Sequence, residues 1–116
     1  ILQESGMTVE LYDPYYCPND TVWTTHYDFV TATEVVEHLH QPSQEFDRLF
    51  RVLKPGGRLA IMTKWVSRIP SFATSRYVRD MTHVCLYSPE TFNWIASRWN
   101  SSVDFPKTDI ALFQKD

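Results

Sequence analysis

Glu34-Val35-Val36-Glu37-His38 holds the side chains of this sequence best able to do chemistry. If the segment is helical, Glu34, Glu37 and His38 fall at i, i+3 and i+4, positions that share one face. Two carboxylates and an imidazole form a hard to borderline donor set, suited to Mg²⁺ or Mn²⁺ ahead of iron or zinc. A second set lies downstream, where Lys64, Arg68, Arg76 and Arg79 are interleaved with Trp65, Phe72 and Tyr77. Such mixtures can grip a phosphate or a nucleic-acid strand. They can equally form an aromatic-packed lid over a substrate. The net charge of −3 and the lack of a nucleic-acid module favour the lid.

The elements that would position these residues read as an α/β chain. Met7 to Tyr12 alternates and stops at Asp13-Pro14, as a short strand does. Asn19-Asp20 can cap one helical turn around Val22-Trp23, while Val22 to Thr25 offers a degenerate edge strand as the alternative. Phe29 to Ala32, led in by Tyr27-Asp28, is an apolar run suited to a buried parallel strand. Thr33 to His40 reads as helical or nearly so. Pro42-Ser43 opens a clear helix, with Ser43 as N-cap and Phe46, Leu49, Phe50 and Leu53 forming its apolar stripe. Asp47, Arg48 and Arg51 face away, Lys54 sits in the last turn, and Pro55-Gly56-Gly57 ends the helix before a strand from Arg58 to Thr63.

Beyond an irregular segment from Lys64 to Val84, Ser88-Pro89-Glu90 signals a helix start, with N-cap serine, proline at N1 and an acid in the first turn. Phe92, Ile95, Ala96 and Trp99 form its buried stripe, and Trp94 and Trp99 are read as core or interface rather than substrate stacking. Ser101 to Phe105 and Ile110 to Gln114 close the chain as a hairpin.

A length of 116 residues allows one domain and one core. No apolar run approaches the roughly 20 residues of a membrane span, and no signal-peptide pattern opens the sequence. Cys17 and Cys85 form no CxxC and read as reduced cytosolic thiols, giving a cytoplasmic expectation. Ile1 to Gly6 looks like the last turn of a helix closed by a C′ glycine, so the domain spanning 1–116 is expected to be incomplete at its N-terminal side.

Several of these segments resemble the class I S-adenosylmethionine-dependent methyltransferase family. Val9-Glu10-Leu11-Tyr12-Asp13 looks like that family's second strand, Tyr27 to Ala32 like its fourth, and Arg51-Val52-Leu53-Lys54-Pro55-Gly56-Gly57-Arg58-Leu59 like its signature after the following helix. The closing hairpin fits its antiparallel sixth and seventh strands. The implied fold is a partial Rossmann-like α/β methyltransferase sheet, mostly parallel, with a C-terminal antiparallel hairpin. The implied cofactor is S-adenosylmethionine. Asp13 would bind the ribose diol, Tyr12 and Pro14 would wall the adenosine, and Thr31, Ala32 and Thr33 would border the cofactor. Two departures stand out: no glycine-rich turn is present, and little sequence is left for a third strand.

Glu34, Glu37 and His38 also resemble the Glu-x-x-Glu-His motif of small-RNA 2′-O-methyltransferases and ubiquinone-pathway O-methyltransferases. Those families hold a divalent ion beside the acceptor hydroxyl and add a later histidine, a position His83 could fill. In the metal reading, Mg²⁺ or Mn²⁺ is held by Glu34, Glu37, His38 and His83. There the ion would bind the acceptor oxygen and a histidine or hydroxide would take its proton; in the metal-free reading, His38 or His83 lines the acceptor pocket. His26 and His40 have no comparable setting and are read as surface residues.

The expected function is methyl transfer to a hydroxyl, or an amine, of a small molecule. Neither a nucleic acid nor a membrane is expected as partner, and a homo-oligomer is a candidate. The alternative is a truncated, inactive methyltransferase-like domain that serves as an oligomerising or binding module. A dehydrogenase fragment fits less well, given the terminal hairpin and the Glu-Val-Val-Glu-His stretch. Because the methionine-end contacts lack a glycine-rich turn, the 116-residue chain is expected to bind S-adenosylmethionine weakly. Isothermal titration calorimetry checks this, and micromolar affinity would contradict it.

Overall fold

The computed structural model describes residues 20–65 and 86–116. Within them the order is a 3-10 helix Asp20–Thr24, strand β1 Tyr27–Thr33, a 3-10 turn Val36–His38, helix α1 Pro42–Arg51, strand β2 Leu53–Met62, helix α2 Pro89–Arg98, and strands β3 Ser101–Lys107 and β4 Ile110–Lys115. The strand expected at Met7 to Tyr12 and the irregular segment 66–84 lie outside the described residues.

Four strands form one sheet in the order β1-β2-β4-β3. The β1–β2 pair is parallel, with Phe29 opposite Arg58 and Thr33 opposite Met62. β4 lies antiparallel to both β2 and β3. The expectation of a mostly parallel sheet is corrected for these residues: one of the three pairings is parallel. The reason is connectivity. β1 reaches β2 through α1, a crossover long enough for parallel pairing, whereas β3 and β4 are joined by a tight hairpin.

Both helices cover one face of this sheet. Phe46 and Phe50 of α1 and Phe92, Ile95 and Ala96 of α2 are buried in a core with Leu59, Ile61, Ala111 and Phe113. The rings of Phe50 and Phe92 each meet Phe113 edge-on, at 5.4 and 6.0 Å between centroids, a geometry that aromatic quadrupoles favour. Trp99 lies against Phe50 and donates to Asp47 of α1, which ties the helices together. Trp94 is 63% exposed, so of the two expected places, core or interface, it does not take the core.

The opposite face is more open. Alternation puts Phe29, Ala60, Met62 and Leu112 on it, and none of them is buried. At the edge of the described sheet, β1 has Phe29 41% exposed. The expected fully buried strand is therefore parallel but buried on one side only, with Ala32 facing the core.

Helix boundaries follow local rules more closely than the apolar pattern does. Ser88 caps α2, its hydroxyl accepting from the amide of Thr91 at 3.4 Å. At α1 the cap residue is Gln41, not Ser43, because Pro42 occupies the first helical position. α1 ends at Arg51, earlier than Pro55 would require. Val52 turns the chain so that its carbonyl accepts from the amide of Tyr27 at 2.7 Å, and Leu53 and Lys54 are already strand. Lys115 then donates to the carbonyls of Phe50 and Leu53, both at 2.9 Å, placing a cation at the C-terminal end of α1.

Arg48, expected to face away from the stripe, lies with its guanidinium 3.9 Å from the centre of the Trp23 ring. Trp23 belongs to the first 3-10 helix, so the edge-strand alternative for Val22 to Thr25 is not the one formed.

Pro55-Gly56-Gly57 forms a wide bulge within β2, between the residues facing Tyr27 and Phe29. Gly56 has φ +79° with open space around it, whereas a Cβ on Gly57 would meet the carbonyl oxygens of Lys54, Asp28 and Tyr27 at 2.8, 3.1 and 3.2 Å. Gly57→Ala is therefore expected to lower stability by about 1–3 kcal/mol through backbone displacement. Gly56→Ala is expected to cost about 1 kcal/mol from its φ. Urea denaturation of both variants checks the order; a costlier Gly56 change would refute it.

Candidate active site

The parallel pairing of β1 with β2 brings Thr33 and Met62 to the same rim. In open α/β sheets, ligands sit beyond the carboxyl ends of parallel strands. Here the chain turns sharply at Glu34, which has φ 54° and donates its amide to the carbonyl of Met62 at 2.7 Å. One 3-10 turn, Val36–His38, follows. Val36 is wholly buried and its carbonyl accepts from the hydroxyl of Tyr87 at 3.0 Å, which anchors the turn to the core.

The residue after Val36 is the unexpected one. Glu37 is 0% exposed. The hydroxyl of Thr63, itself buried, donates to its Oε2 at 2.5 Å. Thr63 also donates its amide to the carbonyl of Asp109 at 3.0 Å, so the end of β2 is tied both to the corner and to the β3–β4 turn. Oε1 of Glu37 makes no hydrogen bond and lies 3.7 Å from Nε2 of His38. The His38 side chain is 41% exposed. An accessible imidazole thus stands beside a carboxylate held out of water.

This geometry alters the reading of the Glu-Val-Val-Glu-His segment. The expected helix from Thr33 to His40 is a single 3-10 turn, so Glu34, Glu37 and His38 do not share a helical face. Glu34 lies before the turn and is exposed, whereas Glu37 points inward. Among the described residues no three His, Cys, Asp or Glu side chains come together as a metal site. A hydroxyl hydrogen already faces Oε2 of Glu37. His83, the fourth candidate ligand, lies outside the described residues.

Of the residues expected to border the cofactor, Thr31, Ala32 and Thr33 are found at the carboxyl end of β1. Ala32 faces the core and the two threonines are exposed. Tyr12, Asp13 and Pro14 lie outside the described residues, as do Arg68, Arg76 and Arg79 of the expected lid. His26 and His40 are exposed, as surface residues are. An open groove of about 550 Å³ begins at the other end of the strands, against Asp28, Phe29, Lys54, Gly57 and Arg58, and reaches Leu112 on the open face. Sequence reasoning passed over Thr63, which pairs with a residue 26 positions earlier. The only hint was its place at the end of an apolar strand.

A sheet with a crossover-linked parallel pair and a reversed terminal hairpin, covered by two helices, defines an α/β fold. A family profile described as methyltransferase domain matches residues 1–103. The chain belongs to this methyltransferase domain family. In fold it is similar to an O-methyltransferase family protein from Burkholderia thailandensis, with a TM-score of 0.61 and 17% sequence identity over 84% of this chain and 32% of that one. The chain therefore spans about a third of the length of that protein. No curated protein matches it. Among the described residues, no helix is long and apolar enough to cross a membrane.

Thr63→Val keeps the shape of the side chain but removes the donor to a buried carboxylate. It is expected to lower stability by about 1–3 kcal/mol, the cost of an unsatisfied buried group. Thr63→Ser should lose less. Thermal or urea unfolding checks both, and a neutral Thr63→Val would remove the hydrogen bond from the account.

Proposed function

We propose that the chain acts in S-adenosylmethionine-dependent methyl transfer to a hydroxyl, or an amine, of a small molecule. One observation supports this above the rest: an accessible histidine backed by a buried carboxylate stands at the rim where the parallel strands β1 and β2 end. S-adenosylmethionine, when bound, supplies a methyl carbon already activated by its attachment to a sulfonium. Little covalent work is then left for the protein, and its part is to hold donor and acceptor in line and to accept a proton.

The rim suits that part. Thr31 and Thr33 are small and exposed, leaving space for a nucleoside that Ala32 is proposed to border through its backbone, and His38 is proposed to face the acceptor oxygen. Asp13 is the residue proposed to hold the ribose, with Tyr12 and Pro14 beside the adenosine. The role of base falls to His38, and His83 is proposed to border the same acceptor.

A second reading has its own observation. Phe29 at 41% and Val35 at 45% exposure stand near the open face and the β1 edge of the described sheet. Such surface favours pairing with another copy, as in a non-enzymatic assembly module.

The two readings separate in a nuclear magnetic resonance titration of the isotope-labelled chain with millimolar S-adenosylmethionine. Methyl transfer predicts shifts of the amides from Thr31 to His38. No shifts there, or shifts confined to Lys54 to Arg58, would reject the cofactor rim. Light scattering on the same sample reports whether copies associate.

A further inference from the structure

The Val36–His38 turn is too short to hold itself in place. It has three residues, and no side chain caps it. A 3-10 turn has poorer hydrogen-bond geometry than an α-helix, and a single turn bears the full cost of nucleation. Its position must therefore come from tertiary contacts. Two hydroxyls supply them at adjacent residues. Tyr87 donates to the carbonyl of Val36 at 3.0 Å, and Thr63 donates to the carboxylate of Glu37 at 2.5 Å. The two donors belong to one unit, because Trp65 and Tyr87 pair in a parallel bridge just beyond β2. Ser88, the next residue, caps α2 and fixes the backbone of Tyr87 from the other side.

The ring of Tyr87 is 4% exposed, stacked on Phe92 at 5.3 Å and edge-on to Phe46 at 6.2 Å. A phenylalanine would make the same ring contacts. The hydroxyl adds a polar group to the core, which is tolerated only where it is bonded. The carbonyl it meets is not otherwise an orphan, since Val36 also accepts from the amide of Leu39 at 3.2 Å. Losing the hydroxyl thus strands no buried acceptor, and the bond adds little to overall stability. What it adds is location.

We infer that Tyr87 is a positioning residue for the rim. With Thr63 it forms a clasp that sets where the turn bearing His38 stands above β1 and β2. The Thr31–Thr33 end of β1 is held separately, by its ladder with Ala60 to Met62. The clasp therefore governs the acceptor side of the rim and leaves the cofactor side to the sheet. For the step it serves, this placement rests on the methyl-transfer reading, in which His38 borders the acceptor. Rate in such a step falls steeply when one reacting partner is displaced by about 1 Å.

Hydrogen exchange of the 116-residue chain reads the clasp directly. The amides of His38 and Leu39 donate to the carbonyls of Val35 and Val36, and those of Phe92 and Trp99 donate to the carbonyls of Ser88 and Ile95 at the two ends of α2. In the unaltered chain the turn pair should exchange at least about tenfold slower than in an unfolded peptide. Tyr87→Phe should speed the turn pair about fivefold, the worth of one hydrogen bond, and leave the α2 pair within about twofold. Where turnover is measurable, Tyr87→Phe should lower kcat about tenfold, with the Kd of S-adenosylmethionine unchanged to within about twofold. Unprotected turn amides in the unaltered chain, equal acceleration of both pairs in Tyr87→Phe, or an unchanged kcat overturns the positioning role. Acceleration confined to the turn, with no S-adenosylmethionine-induced shift at Thr31 to Thr33, supports the clasp and overturns the methyl-transfer reading instead.

Discussion

The rest of the structure depends on the parallel ladder between Phe29–Thr33 and Arg58–Met62. Parallel strands share a carboxyl end, so whatever follows β1 and whatever follows β2 must emerge side by side. Glu37 follows one and Thr63 the other, and they meet across 26 residues of sequence. A one-residue slip of this register would turn Leu59 and Ile61 outward and carry Thr63 away from the carboxylate. The apolar packing that sets the register and the polar contact at the rim are two results of one pairing.

That pairing is itself held by a sequence of close approaches. The bulge at Pro55-Gly56-Gly57 absorbs the extra residues left after α1 ends, and Gly57 lets three carbonyl oxygens crowd where a side chain would stand. Lys115 reaches back from β4 to the end of α1. The helix, the bulge and the last strand thus meet at the lower rim, leaving the upper rim to polar residues.

Much of the fold was legible where residue types have a single local meaning. Ser88-Pro89-Glu90 named its helix start, and the closing hairpin formed with Thr108-Asp109 as the connection between β3 and β4. Reading failed where the backbone took a form that side chains do not advertise. Nothing about Glu34 announces a left-handed φ, yet that one angle stops the helix expected from Thr33 and separates Glu34 from Glu37. Proline takes the first helical position at both Pro89 and Pro42, so the cap is Ser88 in one helix and Gln41 in the other, although Ser43 is the better capping residue type. For the site, the residue types were found but not their roles. A glutamate on an apparently amphipathic segment suggests an outward ligand, and only its distant partner Thr63 shows it to be interior. For Trp94 the residue type left core and interface open, and α2 presents it to solvent.

The order of the strands has a consequence for how the protein is made. β4, last in the sequence among the four, occupies an interior place between β2 and β3. Among the described residues, β2 gains its second neighbour and β3 its first only when residues 110–115 slot between them, a long-range closure of the kind that slows folding.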